Sequence, residues 1–396
     1  MTNQRLSRCI FERYDKGPQK VIKRAPVIRA AVPSDIANLL DIEEQCFTED
    51  RLSRRSFSHL MRRGHAALLV EDAAQGELAG YALVLFNQGT SLARLYSFAT
   101  HPHWQRRGVA KRLLKAAEKV ALDEGSVAMR LEVRPDNKPA IALYKAEDYR
   151  QFGVYPDYYE DHSAALRFEK SLVQGIAQHH DRVPYYPQSL EFTCGPAALM
   201  MAMKAIDPKT KLNRQLEIQI WREATSIFMT TGHGGCEPYG LALAAHHRGF
   251  DVEVQVTSRD PMFLGTVRDE DRRAVIAMVH QEFSRQIKQT GITVKVEKFD
   301  IDAMIRAFDQ GGVPLILISH FRLTGEKSPH WIVMTGYADD FVFFHDPYVD
   351  WDLGKTETDS VRIPATRAEF VQMARYGISR GRAAVIIKQR NGAPSQ

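Results

Sequence analysis

Two segments of this 396-residue sequence carry residue types whose spacing can do chemistry. The first is Gln105-Arg106-Arg107-Gly108-Val109-Ala110, set between an apolar run and an amphipathic one. A glycine at such a turn lets the backbone approach a ligand closely, and the first N–H groups of the following helix point at it. With two arginines alongside, the segment is a physical recipe for a diphosphate. The second segment is Gln188-Ser189-Leu190-Glu191-Phe192-Thr193-Cys194-Gly195-Pro196. Cys194 stands just ahead of an apolar helical pattern (Leu199, Met200, Met203), where a helix N-terminus favours a thiolate. A depressed thiol pKa is therefore expected. Gly195 leaves room for a substrate, and the Gln188 amide, six residues before the cysteine, can donate to a developing oxyanion. His330 opens one apolar run and Asp346, sixteen residues on, closes the next. That is a nucleophile, a base and an orienter in a cysteine version. His345 beside Asp346 is the other histidine that could serve.

These residues need elements to position them. From about Pro26 to Leu172, strand and helix patterns alternate. Ser34 and Asp35 start a helix whose face carries Ile36, Leu39 and Leu40. Strands are predicted at 66–70, 78–86, 93–100, 127–133 and 163–170. Val109 to Asp123 has the apolar spacing of a helix with Gly125 as its stop, and Pro139 to Lys145 is a shorter one. Periodicity is lost from Ser171 to Arg182, which reads as a linker. A second unit opens with a helix at 195–206, continues with one at 239–249, and closes with strands at 313–319, 331–337 and 341–345. Helix first and sheet later predicts an α+β domain. The expected division is a basic tail (1–25), a first domain (26–172), a linker (173–182), a second domain (183–388) and a C-terminal tail (389–396).

Composition limits the class. Hydrophobic residues are 44% and charged residues 26%, which suits a globular chain, and no apolar stretch reaches the roughly 18 residues that span a membrane. The net charge of +5 does not call for nucleic acid. Its excess sits partly in Arg5, Arg8, Arg13, Lys16, Lys20, Lys23 and Arg24, with no apolar core of the kind an export signal has. The four cysteines (Cys9, Cys46, Cys194, Cys236) have no CxxC spacing, so no metal site is expected and free thiols in the cytoplasm are.

The span 26–172 resembles the GNAT family of acetyl-CoA-dependent N-acetyltransferases. QRRGVA matches that family's phosphate loop, which implies that Gln105, Arg106, Arg107, Gly108, Val109 and Ala110 hold the cofactor. Leu131-Glu132-Val133-Arg134, Asn137, Ala140 and Leu143-Tyr144, followed by Tyr155-Pro156 and Tyr158-Tyr159-Glu160-Asp161, look like the ribosomal-protein N-terminal acetyltransferases. The resemblance implies a mixed central sheet with helices, Glu132 as base on the incoming α-amine, and Tyr144 as proton donor to the departing CoA thiolate. It also implies Asn137 in the cofactor set and the backbone of Phe98 and Thr100 along the pantetheine arm. One departure is Asp148-Tyr149, where the family has a glycine before an aromatic residue.

Q-x5-C-G-P-A, P-H-W-x-V and D-P resemble the peptidase C39-like branch of the papain-like cysteine peptidases over roughly Val183 to Lys388. The resemblance implies a Cys194–His330–Asp346 triad with Gln188 as oxyanion donor, and a substrate-side loop at Gly232-His233-Gly234-Gly235. Residues 261–308 exceed the minimal peptidase. The expectation is a cytoplasmic bifunctional enzyme: acetyl-CoA is the cofactor, a peptide or protein with a free amine is the partner, and neither membrane nor nucleic acid is required. The alternatives are an inactive peptide-recognition module in the second half, or a small-amine acetyltransferase.

Overall fold

A computed structural model describes residues 27–62, 64–174, 182–225, 234–264, 267–350, 355–377 and 380–390. The basic tail, the middle of the linker (175–181), Gly232, His233 and the chain beyond 390 lie outside the described residues. Among the described residues no helix is long and apolar enough to cross a membrane.

The first domain is built on seven strands, β1 (Ile28–Ala30), β2 (Ala66–Asp72), β3 (Leu78–Phe86), β4 (Leu92–Thr100), β5 (Ala128–Val133), β6 (Arg150–Tyr155) and β7 (Ala165–Ser171). They run in the order β1-β2-β3-β4-β5-β7-β6. Only β4 and β5 are parallel, and they pair only through Leu92, Ala93 and Arg94. Beyond Arg94 the two strands part, which leaves the second half of β4 open along one edge. Helices α1 (Ile36–Cys46) and α2 (Arg54–Leu60) bury Leu39, Ile42 and Phe57 against one face. Helices α3 (Val109–Asp123) and α4 (Lys138–Ala146) bury Leu113, Leu114, Ile141 and Tyr144 against the other. The amphipathic spacing of α3 explains its stable placement; Gly125 (φ 81°) ends it in the left-handed conformation. Three elements carry too little pattern to be read from sequence: β1 has three residues, α2 has seven, and β6 is a half-exposed edge strand.

The second domain has helices α5 (Cys194–Ile206), α6 (Arg214–Ala224), α7 (Pro238–His246), α8 (Glu270–Ile287), α9 (Ile301–Asp309), α10 (Phe321–Thr324), α11 (Glu357–Ser360) and α12 (Arg367–Met373). Its strands are β8 (Asp251–Val256), β9 (Thr293–Val296), β10 (Val313–Ser319), β11 (Pro329–Ala338), β12 (Phe341–His345), β13 (Ile363–Thr366) and β14 (Ala383–Lys388). The sheet order is β13-β12-β11-β10-β14-β8-β9, antiparallel except for β8 with β9. Every residue from Cys194 to Met203 is buried, so α5 is a core helix rather than an amphipathic one. This is the α+β arrangement expected, with the helix starting at Cys194 itself and not after it.

The two domains meet through buried polar groups. Arg130 of β5 is 1% exposed; it pairs with Glu169 and donates to the carbonyls of Thr358 (2.8 Å), Val361 and Arg362 (3.1 Å). The Ser91 N–H donates to the Pro364 carbonyl (2.7 Å), and Asn87 Nδ2 to Asp359 Oδ1 (3.1 Å).

Candidate active sites

The QRRGVA segment forms the turn into α3. Gly108 is the N-cap at φ 77°, and Arg106 is also left-handed at φ 58°. A Cβ on Gly108 would lie 2.9 Å from Arg112 Nη1, the movable end of a long side chain, so it is the left-handed backbone that calls for glycine here. Arg112 is braced by Glu71 and donates to the Arg107 carbonyl (2.9 Å), which fixes the loop from below. The Arg107 guanidinium lies 4.8 Å from the centre of the Trp104 ring. Val109 is buried and Ala110 half-buried; the first-turn N–H groups of α3 have no carbonyl one turn earlier to bond. Gln105 closes the short helical turn before the loop. The loop thus offers a glycine cradle, helix N–H groups and cationic side chains together.

Phe98 and Thr100 stand on the part of β4 that has separated from β5, opposite Ala82 and Gly80 of β3. The Thr100 carbonyl accepts from the Cys46 thiol (3.4 Å). Tyr144 is buried with its ring centre 6.5 Å from Phe98 and 5.7 Å from Tyr149. Burial, with the charge of Tyr159 behind it, raises the Tyr144 hydroxyl well above the ordinary tyrosine range. It is a proton carrier at neutral pH. Asp148, standing where the resembling family has a glycine, takes the left-handed conformation (φ 67°), and the Tyr149 N–H closes onto the Tyr144 carbonyl (2.9 Å). Asn137 caps α4 by accepting from the Ala140 N–H (3.2 Å).

Glu132 lies on β5 between Leu131 and Val133. Those two join the core that holds Tyr144, so Glu132 points to the other face. There it is 5% exposed and meets Arg94 Nε at 3.0 Å, while Arg94 Nη1 meets Asp359 of the second domain at 2.8 Å. Arg94 Nη2 also donates to the Tyr158 hydroxyl (2.9 Å), and Thr356 Oγ1 donates to Glu132 Oε1 (3.4 Å). The Glu132 charge bears on Tyr159. Sequence reasoning missed Arg94, Asp359 and Thr356.

In the second domain, His330 Nε2 and Asp346 Oδ1 are 2.6 Å apart, brought together by the antiparallel pairing of β11 and β12. Asp346 also accepts from the Tyr348 N–H (2.8 Å). Burial works to raise its carboxyl, and the nearby His330 and His320 rings, with the hydrogen bond to His330, outweigh it and hold the carboxyl well below the usual range. His345 is the fold's brace and not a base. Its Nε2 meets the Val183 carbonyl (2.9 Å), its Nδ1 accepts from the Arg362 N–H (2.9 Å), and burial drives its pKa down to about 3.

Cys194 departs from expectation. Burial pushes its thiol up to about 11, against smaller opposite pulls from the Trp331 and Gly195 N–H groups. A neutral thiol out of water outweighs a helix N-terminus here. No hydrogen bond joins Cys194 to His330. Gly195 leaves room for protein: a Cβ there would lie 3.1 Å from Cys236 Cβ and 3.2 Å from Trp331 Cδ1. The Gln188 amide already donates to the Leu190 carbonyl (2.9 Å), while its Oε1 is buried without a partner.

His320 was not foreseen. Its ring stacks on His330 at 4.0 Å and 18°, with Nε2 3.7 Å from Asp346 Oδ2. By distance alone His320, His330 and Asp346 could hold a metal ion. An imidazole coordinates in its own plane, and two near-parallel stacked rings cannot both aim at one ion, so the arrangement suits a packed wall for His330. The pairing of Ile318 with His330 sets the end of β10, and with it His320, beside the start of β11.

Comparison with known proteins finds a family match in each half of the chain. Residues 183–388 match the model of the Peptidase_C39 like family, and residues 36–148 that of the acetyltransferase (GNAT) family. The N-alpha-acetyltransferase of Sulfolobus acidocaldarius is 30% identical over 145 residues, 34% of this chain and 85% of that protein. The [ribosomal protein bS18]-alanine N-acetyltransferase of Salmonella typhimurium is 30% identical over 99 residues, 24% of this chain and 64% of that protein. The chain spans 41% of the length of another relative, the uncharacterized protein ML0378 of Mycobacterium leprae, at 30% identity over 152 residues. Among solved structures, Ard1 from Thermoplasma volcanium is 27% identical with a TM-score of 0.35, covering 38% of this chain and all of that one. The chain belongs to the Peptidase_C39 like family through its second domain, and its first domain is a member of the acetyltransferase (GNAT) family.

Proposed function

We propose that the first domain is an acetyl-CoA-dependent N-acetyltransferase acting on the α-amine of a peptide or protein, and that the second is a cysteine peptidase domain serving the same substrate class. The observation that carries the first half is the glycine-cradled loop at the start of α3, set beside the parted strands β4 and β5. Acetyl-CoA supplies an activated acetyl group on a thioester. Arg106, Arg107 and the N–H groups of the loop and first turn of α3 suit its diphosphate. The β4 backbone at Phe98 and Thr100 suits the pantetheine arm. Glu132 takes the proton that an ammonium must lose before it can attack, directly or through a water. Tyr144, held protonated by burial, returns a proton to the leaving sulfur. The two N-terminal acetyltransferase relatives favour an α-amine as acceptor.

In the second half the reading assigns Cys194 as nucleophile, His330 as base, Asp346 as orienter and Gln188 as oxyanion donor. Its support is the 2.6 Å pair of His330 with Asp346. One observation favours a second reading, in which this half only recognises peptides: the Cys194 thiol is raised and makes no hydrogen bond to His330.

The test of the transferase half is Glu132→Gln. Acetyl-CoA affinity by calorimetry should hold while transfer to an α-amine peptide falls, and the deficit should narrow as pH rises and the amine ionises unaided. A deficit that stays constant with pH would remove Glu132 from the role.

A further inference from the structure

The base assigned to the transferase is not walled by the transferase alone. Arg94 sits 3% exposed between Glu132 (5%) and Asp359 (4%), at 3.0 and 2.8 Å. One cation therefore lies between two carboxylates from two domains, and the buried trio carries a net charge of −1. Asp359 is itself tied down. Its Oδ2 accepts from the Thr356 N–H (3.0 Å) in a capping box of α11, and its Oδ1 accepts from Asn87 (3.1 Å). Thr356, the N-cap of the same short helix, reaches Glu132 directly. A cavity of about 80 Å³ opens beside the pair, walled by His65, Asn87 and Arg94 from one domain and Thr324, Lys355 and Asp359 from the other.

We propose that Asp359 of the C39-like domain is a positioning residue of the acetyltransferase: by drawing Arg94 toward itself it leaves the Glu132 carboxylate only partly neutralised, and so able to accept the amine proton. This rests on Glu132 being the base. A carboxylate paired to an arginine of its own is a weak base, because the opposite charge favours the ionised form. Sharing the guanidinium with a second carboxylate relieves that effect, and like-charge repulsion from Asp359 adds to the relief. The other groups that face Glu132 are Tyr158 and Tyr159, between β6 and β7, and Arg167 on β7, whose charge also bears on it. Asp359 is the only carboxylate of the second domain within ion-pair distance of Arg94 among the described residues. The acetyltransferase centre is in this account completed by the second domain, and its basicity depends on how the domains dock.

The experiment measures the pH profile of kcat/KM for acetyl transfer to an α-amine peptide with the full chain. Asp359→Asn keeps the size and an oxygen for the Thr356 N–H, turns the oxygen that accepted from Asn87 into an amide donor, and removes one charge. The sign is fixed: with one anion gone, Arg94 is drawn more strongly to Glu132, whose carboxyl then ionises at lower pH, and the acidic limb moves down by about one pH unit. The plateau kcat should fall several-fold with KM for acetyl-CoA unchanged, and Asp359→Glu should restore both. An Asp359→Asn profile with an unmoved limb overturns the proposal, even if activity drops, since a purely structural role would lower the rate without shifting it. Should Asp359→Asn fail to fold, Asn87→Ala loosens the same carboxylate and should move the limb in the same direction; no movement there overturns the proposal equally. Glu132→Gln run in parallel separates the two questions. Full transfer by Glu132→Gln removes the base assignment itself, whereas an inactive Glu132→Gln with an unmoved Asp359→Asn limb removes only the role of Asp359.

Discussion

Alkylation of Cys194 reads the state of the second centre directly. The thiol is 8% exposed, and burial outweighs the N–H groups of Trp331 and Gly195 that would stabilise a thiolate, leaving it at about 11. An exposed cysteine titrates near about 8.5, so at pH 7.5 roughly one thiol in ten is ionised; for Cys194 the fraction is roughly three in ten thousand. The resting protein should therefore alkylate at Cys194 roughly 300-fold more slowly than a free thiol, before any steric penalty. The rate should climb about tenfold per pH unit towards pH 11. His330→Ala should change it by less than about twofold, because no hydrogen bond joins the two side chains. Iodoacetamide labelling followed by peptide mapping, run from pH 6 to 10.5, supplies the profile. A plateau reached below pH 9, abolished in His330→Ala, would refute the reasoning and establish a preformed thiolate–imidazolium pair.

Arg107→Glu places a carboxylate where a diphosphate is expected, and calorimetry should show acetyl-CoA binding at least about tenfold weaker; unchanged affinity would move the cofactor elsewhere. His345 is held neutral, with a folded-state pKa of about 3 against an unfolded value near 6.5. Its contribution is complete above about 6.5 and is lost on acidification by up to about 1.4 kcal/mol per pH unit, so urea midpoints should fall between pH 6.5 and 4 and fall less steeply in His345→Gln. Arg130→Met strands Glu169 and three carbonyls at the domain contact, at a cost of about 3–5 kcal/mol. Calorimetric scanning should then show the transition moving down and splitting in two, and an unsplit, unshifted transition would show that the contact contributes little.

The amphipathic and continuously apolar segments were legible. Val109–Asp123, Val313–Ser319 and Phe341–His345 fall at the expected bounds because their burial follows their local pattern. The glycine of the QRRGVA turn and the approach of His330 to Asp346 were legible for the same reason: each follows from a local turn or a strand pairing. The domain contact was not. Arg94, Arg130 and Glu132 alternate with apolar residues on β4 and β5, and such alternation reads as a solvent face. Here that face is covered by 356–362 of the other domain, a contact between segments more than 200 residues apart. The Cys194 thiol was misjudged because a helix N-terminus is visible in sequence while the burial of its first residue is not.

The central claim is that this chain acetylates α-amines. The full-length protein is incubated with labelled acetyl-CoA and a peptide that carries one free N-terminus and one internal lysine, beside the same peptide with its N-terminus blocked. Fragment mass spectrometry then locates the acetyl group. The account predicts label on the N-terminal amine of the first peptide and none on the second. Label on the lysine of both peptides, or no label on peptide while a small amine is acetylated, would contradict it.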